Sequence, residues 1–322
     1  MTNIRADVPA TSILAVIVLY QRPAFQSVAV SSLFQILNTN FELAKHFSVV
    51  LYDNSLEPNN PAMRADFPVH YVHDPANGGL ASAYNFALAR AESEQRGWLL
   101  LFDQDTSTTR EFLSELMESI AVLYAQAGVG AIVPKLLVGG SIFSPEEHFL
   151  HQLRRQYQRS NQMATKDVLG LQQRQLNAYN SGATIRVSAL RAIGGFPPEF
   201  WLDYLDHAVF SRLFASGFRI FVMGAQLEHS YSLDDIESMP AWRLKNIFSA
   251  QTLFVRQSGN FFDRLLYRMY LLRFFHRLRR SRKDFPIWRQ AALQALLLRV
   301  PDRQRPKPSR TGIDEATNIS LS

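Results

Sequence analysis

The chain has 322 residues, 47 % of them apolar and 19 % charged, with a net charge of +6 and no cysteine. That length holds one large domain of about 200–250 residues with an appendage, and that composition supplies a sizeable core, which excludes a largely disordered chain. Without cysteine there are no disulfides and no thiolate metal sites, and a cytosolic location fits. The apolar run over 13–20 is strand-sized, too short for a signal-peptide core, and no segment reaches the roughly 20 apolar residues that span a bilayer. Charge is uneven. Residues 240–310 hold 17 of the 34 Lys and Arg and only 3 of the 28 Asp and Glu, a local +14 on a mildly acidic body.

In chain order, residues 13–19 form a short, branched, continuous apolar run, the pattern of a fully buried strand. Helical spacing follows over 27–37, with Val28, Leu33, Phe34 and Leu37 apolar. Strands are predicted over 47–52, ending in Asp53-Asn54-Ser55, and over 69–72. A helix over 80–90 is entered through Asn77-Gly78-Gly79, and a strand over 98–102 runs into Asp103-Gln104-Asp105. A helix over 110–125 precedes a strand over 130–134. Strands alternating with helices at this spacing indicate βαβ units and a largely parallel sheet. Right-handed crossovers then bring the strand ends to one edge, where open α/β sheets bind ligands. Residues 139–178 are less regular and read as an insertion or an edge hairpin. Structure resumes at 180–185 and 188–193, followed by Gly194-Gly195-Phe196, a helix after Asp203 and a strand over 219–223.

Two carboxylates one residue apart at a strand end, Asp103 and Asp105, either end the strand and cap the next helix or hold a hard cation carrying a diphosphate. Asp53, two elements earlier on the same edge, is either an Asx-turn cap or an acceptor for the imide N–H of uracil or thymine. The Asn77-Gly78-Gly79 entry to a helix offers close backbone approach and N–H groups for phosphate, or simply a turn. Asn85 is either turned to a nucleotide sugar or merely solvated. In Trp201-Leu202-Asp203-Tyr204-Leu205-Asp206-His207, Asp206 either caps a helix or acts as a general base separate from the Asp103–Asp105 pair. His229 is either structural or a further metal ligand.

In order, these segments resemble the family 2 glycosyltransferases of the GT-A fold and, within them, a rhamnosyltransferase-like branch. The carriers are Val16-Ile17-Val18-Leu19-Tyr20, Tyr52-Asp53-Asn54-Ser55, Asn77-Gly78-Gly79-Leu80 running to Tyr84-Asn85, Phe102-Asp103-Gln104-Asp105, Asn180-Ser181-Gly182-Ala183, and Gly194-Gly195-Phe196 leading to Asp203-Tyr204-Leu205-Asp206. The resemblance implies a Rossmann-like, mixed but mainly parallel α/β sheet of the nucleotide-diphospho-sugar transferase kind. It implies a nucleotide-sugar site formed by Tyr20, Asp53, Asn77, Gly78, Gly79, Asn85, Asp103, Gly182 and Asp203, a Mg²⁺ or Mn²⁺ held by Asp105 and His229, and Asp206 as catalytic base. The implied activity is inverting transfer, with dTDP-L-rhamnose the expected donor and a lipid-linked or surface polysaccharide the acceptor; a UDP-sugar donor, such as a galactofuranosyl one, is the alternative. Ala208 departs from the carboxylate that relatives often carry two residues after the base. A non-catalytic nucleotide- or membrane-binding protein on the same fold is a further alternative, and the intact Asp103, Asp105 and Asp206 argue against it.

The expected division is a GT-A domain over 1–238, a basic amphipathic helical extension over 239–300 and a disordered tail over 301–322. In the extension, Trp242, Phe248, Phe254, Phe261, Phe262, Tyr270, Phe274 and Phe275 are interleaved with nine basic residues from Arg256 to Lys283. That composition suits an interfacial helix on anionic lipid, a helix that only packs on the domain, or contact with nucleic acid. The expectation is the first: a cytoplasmic protein peripheral on the inner face of the membrane, with no nucleic-acid partner.

Overall fold

The seven apolar residues of β1 (Ile13–Leu19) are all buried because helices cover both faces of the sheet to which it belongs. Successive side chains of a strand point to opposite faces, so β1 feeds two cores: Leu14, Val16 and Val18 enter one, Ile13, Ala15, Ile17 and Leu19 the other. The structure is a computed structural model, and it describes residues 11–59, 64–158, 167–228, 240–281, 289 and 293–299. The tail expected over 301–322 lies outside the described residues, as does His229.

After β1 come α1 (Val28–Thr39), α2 (Phe41–Ala44), β2 (Phe47–Asp53), β3 (Val69–His73), α3 (Gly79–Ser93), β4 (Trp98–Asp103), α4 (Arg110–Leu123) and β5 (Val129–Val138). The segment expected to be an insertion or hairpin contributes β6 (Ser141–Ser144), β7 (Glu146–Glu147), α5 (Phe149–Gln158), β8 (Gly170–Gln172) and β9 (Leu176–Asn177). The chain continues through β10 (Thr184–Arg186), α6 (Val187–Ala192), α7 (Leu205–Ala215), β11 (Arg219–Glu228), α8 (Ala241–Ser258) and α9 (Phe261–Ser281).

The main sheet has the order β3-β2-β1-β4-β10-β5-β11-β8, with β6 folded back on β5. β3, β2, β1 and β4 are parallel, β10 is antiparallel to both its neighbours, and β5 and β11 are parallel to each other. The mixed, mainly parallel α/β sheet is therefore present. The register sets the site: Leu19 is level with Asp53, Val18 with Asp103, and Asp53 with His73. One edge thus gathers the ends of four parallel strands. β7 and β9 pair apart from the main sheet, placing Glu146 opposite Asn177.

The basic C-terminal section is built into the body. Leu244, Phe248, Phe254 and Val255 of α8 and Leu266, Tyr267, Leu271 and Phe275 of α9 join the same core as Leu14, Tyr84 and Leu205. Asp263 begins α9 fully buried, and its carboxylate accepts from Arg154 of α5 at 2.6 Å (Nε) and 2.7 Å (Nη2). A fork-on-fork pair of this kind removes Asp263 from the surface charge. Among the described residues no helix is long and apolar enough to cross a membrane. Replacing Arg154 by Met leaves a buried carboxylate without its partner, which costs about 3 kcal/mol or more. The expected result is a lower urea midpoint with an unchanged slope.

Candidate active site

The Asp103-Gln104-Asp105 loop is tied down through its middle residue. The Gln104 carbonyl accepts from Ser27 Oγ at 2.8 Å and from Ala29 N at 3.3 Å, and its side-chain oxygen accepts from Tyr20 N at 3.0 Å. Ser27 also caps α1, accepting from Val30 N. The end of β4 is thus locked to the end of β1 and the start of α1, and the two flanking carboxylates are displayed from a fixed backbone. Asp103 Oδ2 accepts from Ser181 Oγ at 2.8 Å, and Ser181 in turn accepts from the buried Thr106 hydroxyl at 2.9 Å. Asp105 follows on the same loop, half-buried.

The neighbouring strand ends serve the backbone. Asp53 is fully buried; Oδ1 accepts from Ser55 N at 2.9 Å, and Oδ2 accepts from Asn59 N at 2.9 Å and the Tyr71 hydroxyl at 2.6 Å. Burial pushes its carboxyl up, but these donors win and hold it below the usual carboxylate range. The turn-forming alternative for Asp53 describes these contacts. Asp74 does similar work one strand away, accepting from the Tyr52 hydroxyl at 3.0 Å, Gly78 N at 2.9 Å and Ala76 N at 3.1 Å.

At the start of α3, Asn77 has φ of +49° and Gly79 +78°, the left-handed region that glycine tolerates best. A Cβ on Gly79 would lie 2.3 Å from Trp201 Cδ1. Trp201 donates its indole N–H to the Asn77 carbonyl at 3.0 Å, and its own carbonyl accepts from Leu80 N at 2.9 Å. The close approach that this glycine permits is made by Trp201. The N–H groups of Gly78 and Leu80 are already engaged, so the cradle expected for phosphate is in large part a clamp on the 201–206 loop.

Asn85 and Gly182 are likewise structural. Asn85 donates to the Phe196 carbonyl at 2.7 Å and accepts from Phe196 N at 2.9 Å, so both ends of its amide bracket the Gly194-Gly195-Phe196 turn rather than face a nucleotide. Gly182, at φ +76°, has no room for a Cβ, which would lie 2.8 Å from both Pro134 and Leu227. Their order in the sequence was readable; the direction of their side chains was not.

Asp206 opens α7 behind Tyr204, whose φ of +60° is strained for a non-glycine residue. Three contacts from α8 hold that strain. Gln251 donates to the Tyr204 hydroxyl at 2.5 Å, Phe254 packs on its ring at 5.7 Å, and Arg243 pairs with Asp203 at 2.8 and 3.1 Å. Asp203, expected in the nucleotide-sugar site, is thus the loop's ion-pair anchor. Asp206 is 8 % exposed and accepts from His207 N at 2.7 Å. Burial pushes its carboxyl up to about 7 against that hydrogen bond, helped by the negative charges of Glu146, Asp103 and Asp203. The fully buried Tyr84 hydroxyl feels both Asp103 and Asp206, and after burial their charges are the main cause that raises it well above the ordinary tyrosine value. Tyr84 of α3 is therefore close enough to both Asp103 and the candidate base to feel their charges.

Residues 15–194 match the family model described as Glycosyl transferase family 2. The chain belongs to glycosyl transferase family 2. No curated protein matches it in sequence. Among solved structures, S. aureus TarS 1-349 in complex with UDP is 15 % identical and superposes with a TM-score of 0.52, covering 88 % of this chain and 80 % of that one. S. aureus TarS 1-349 in complex with UDP-GlcNAc is 16 % identical with a TM-score of 0.51, covering 90 % and 82 %. At these identities the likeness concerns the fold, which is GT-A-like.

Glu146 escaped the sequence reading because it lies in the irregular 139–178 segment, and only the pairing of β7 with β9 brings it to the site. Its Oε2 accepts from Gln152 at 3.0 Å, and its Oε1 lies 3.9 Å from His207 Nε2. His207 stacks on Tyr204 at 4.5 Å, and burial, then the nearby His148, pushes it down to about 3, so it is neutral at physiological pH. A negative charge beside Asp206 makes Asp206 harder to ionise. Glu146→Gln removes that charge, so a rate that requires ionised Asp206 is expected to have an acid limb near pH 7 in the native chain and at lower pH in the variant. Profiles of kcat/KM against pH would measure this, since they report the free enzyme. An acid limb at the same pH in both would show that Glu146 does not act on the base.

Proposed function

We propose that this family 2 member moves a sugar, L-rhamnose from dTDP-L-rhamnose, onto a hydroxyl of a lipid-linked or surface glycan with inversion at the anomeric carbon. The observation that carries the reading is the buried Asp206 in the first turn of α7, its carboxyl pushed up to about 7 by burial and lying within reach of the Asp103 charge. A base poised near the working pH combines adequate ionisation with adequate proton affinity. In the transfer, the acceptor oxygen bonds to the anomeric carbon as the bond from that carbon to the diphosphate oxygen breaks. Asp206 takes the acceptor proton, and the electron pair leaves on the nucleoside diphosphate.

Asp103 and Asp105 fit a hard divalent ion by donor chemistry, since both offer carboxylate oxygens from a fixed backbone. Among the described residues no group of three His, Asp or Glu is arranged to hold a metal. Mg²⁺ or Mn²⁺ on this pair would therefore draw further ligands from diphosphate oxygens and water, with His229 a proposed addition. When bound, the ion offsets the charge that grows on the leaving group. Tyr20, half-buried with its backbone fixed by Gln104, and Asn77 would line the nucleoside pocket, while Asp53 and Asp74 keep the two loops beneath it in shape.

A UDP-sugar donor is the second reading, and the presence of UDP and UDP-GlcNAc in TarS complexes of like fold makes UDP the natural comparison. Thermal stabilisation by dTDP exceeding that by UDP, and only with Mg²⁺ or Mn²⁺, is the result expected from the first. A larger shift with UDP would move the assignment to the second. Asp206→Asn is expected to lower turnover by about 10²–10⁴ while leaving the nucleotide-induced shift intact. Near-normal turnover in that variant would sink the base assignment.

A further inference from the structure

The aromatic and basic section turns two different faces outward and inward. On α9, Leu266, Tyr267, Leu271 and Phe275 are buried in the core shared with α3 and α7. The opposite face is not polar. Phe261, Phe262, Leu265, Met269 and Leu272 stand exposed there, Phe261 at 80 % and Leu272 at 58 %. Their spacing of three and four places them on one side of the helix, and Leu293 and Leu297 are exposed as well. A contiguous apolar stripe on an outward helix face marks a surface that meets something.

The charge around the stripe says what. The acid of α9, Asp263, faces inward against Arg154 and adds nothing to the outer field. α9 carries Arg264, Arg268 and Arg273 along its length: Arg264 donates to the Arg256 carbonyl at 2.8 Å and Arg268 to the Leu296 carbonyl at 3.0 Å, both half-buried, while Arg273 lies exposed over the Tyr157 ring. A second copy of the chain docked stripe to stripe would bring these arginines together, and like charges would oppose it. A nucleic acid would meet a row of apolar side chains, two aromatic and three aliphatic, where its phosphates need cations. An anionic bilayer surface suits both features: the stripe enters the boundary between headgroups and acyl chains, and the arginines meet the headgroup charge.

We propose that the outer face of α9, with Phe261, Phe262, Leu265, Met269 and Leu272 as the inserting stripe and Arg268 and Arg273 as its described basic flank, docks this chain peripherally on an anionic lipid surface. The inference stands on exposure and charge and is independent of the donor or the base. Its test therefore needs no turnover. Flotation of the full chain with phosphatidylglycerol-containing vesicles and with pure phosphatidylcholine vesicles is the experiment, run beside the Leu265→Asp/Met269→Asp/Leu272→Asp variant, with circular dichroism to show that the variant is folded.

The expected result is binding to the anionic vesicles, weakened in about 1 M salt, little binding to phosphatidylcholine, and about tenfold or greater loss in the variant. A second variant, Phe261→Ser, keeps the test open should the triple change not fold, and is expected to weaken binding in the same direction. No binding to anionic vesicles, or equal binding of the native chain and the folded variants, would overturn the proposal. So would a native dimer that the stripe substitutions convert to a monomer, since the stripe would then be an interface between copies.

Discussion

Too many carboxylates converge on one edge of this sheet, and their mutual repulsion is the constraint to which the rest of the site answers. Asp103 and Asp105 end β4, and Asp203, Asp206 and Glu146 come in from the loop before α7 and from β7. Each is handled differently. Asp203 is neutralised by the Arg243 fork, and Asp103 has the Ser181 hydroxyl. Asp206 is buried, has one backbone donor among the described residues and sits among like charges, so its carboxyl is pushed up to about 7. Asp53 differs: three donors outweigh its burial and hold its carboxyl below the usual range. Donor number and burial together separate the two: more donors lower the Asp53 carboxyl, and burial with like charges raises that of Asp206.

What could be read in the sequence follows from what is local. Each β1-type run of branched residues declares a buried strand, and a parallel sheet then fixes which ends share an edge, so Asp53, Asp103 and Asp105 could be placed together from pattern alone. Side-chain direction could not. Asn85, Gly79 and Gly182 occupy the expected positions, yet their requirements come from Phe196, Trp201 and Pro134, residues about 50 to over 100 positions away in the chain. Glu146 was invisible for the same reason: a two-residue strand has too few side chains to show a period, and its partner is Asn177. Gln104 was legible as a spacer and turned out to be the fastening of the whole loop.

The C-terminal helices were expected as an appendage because their composition differs so sharply from that of the body. Composition reports the surface, whereas attachment depends on the few inward residues. α8 alone supplies Arg243, Gln251 and Phe254 to the loop that carries Asp206. The left-handed Tyr204 costs about 1–2 kcal/mol in backbone strain, and a loop on the surface would relax it. It persists because α8 grips the residue from one side and His207 stacks on it from the other.

This attachment links α9 to the loop that carries Asp206. α9 is fixed to the body through its buried face and through Asp263 on Arg154 of α5, the helix that follows Glu146 by two residues. The arginines that suit a charged surface and the residues that set the proton affinity of Asp206 therefore belong to one packed unit. A surface that holds the outer face of α9 would hold the packed 201–206 loop and β7 through the same contacts. In such an arrangement the orientation of the base toward an incoming acceptor is set by the same packing that keeps Tyr204 strained, and loosening α8 would disturb both at once.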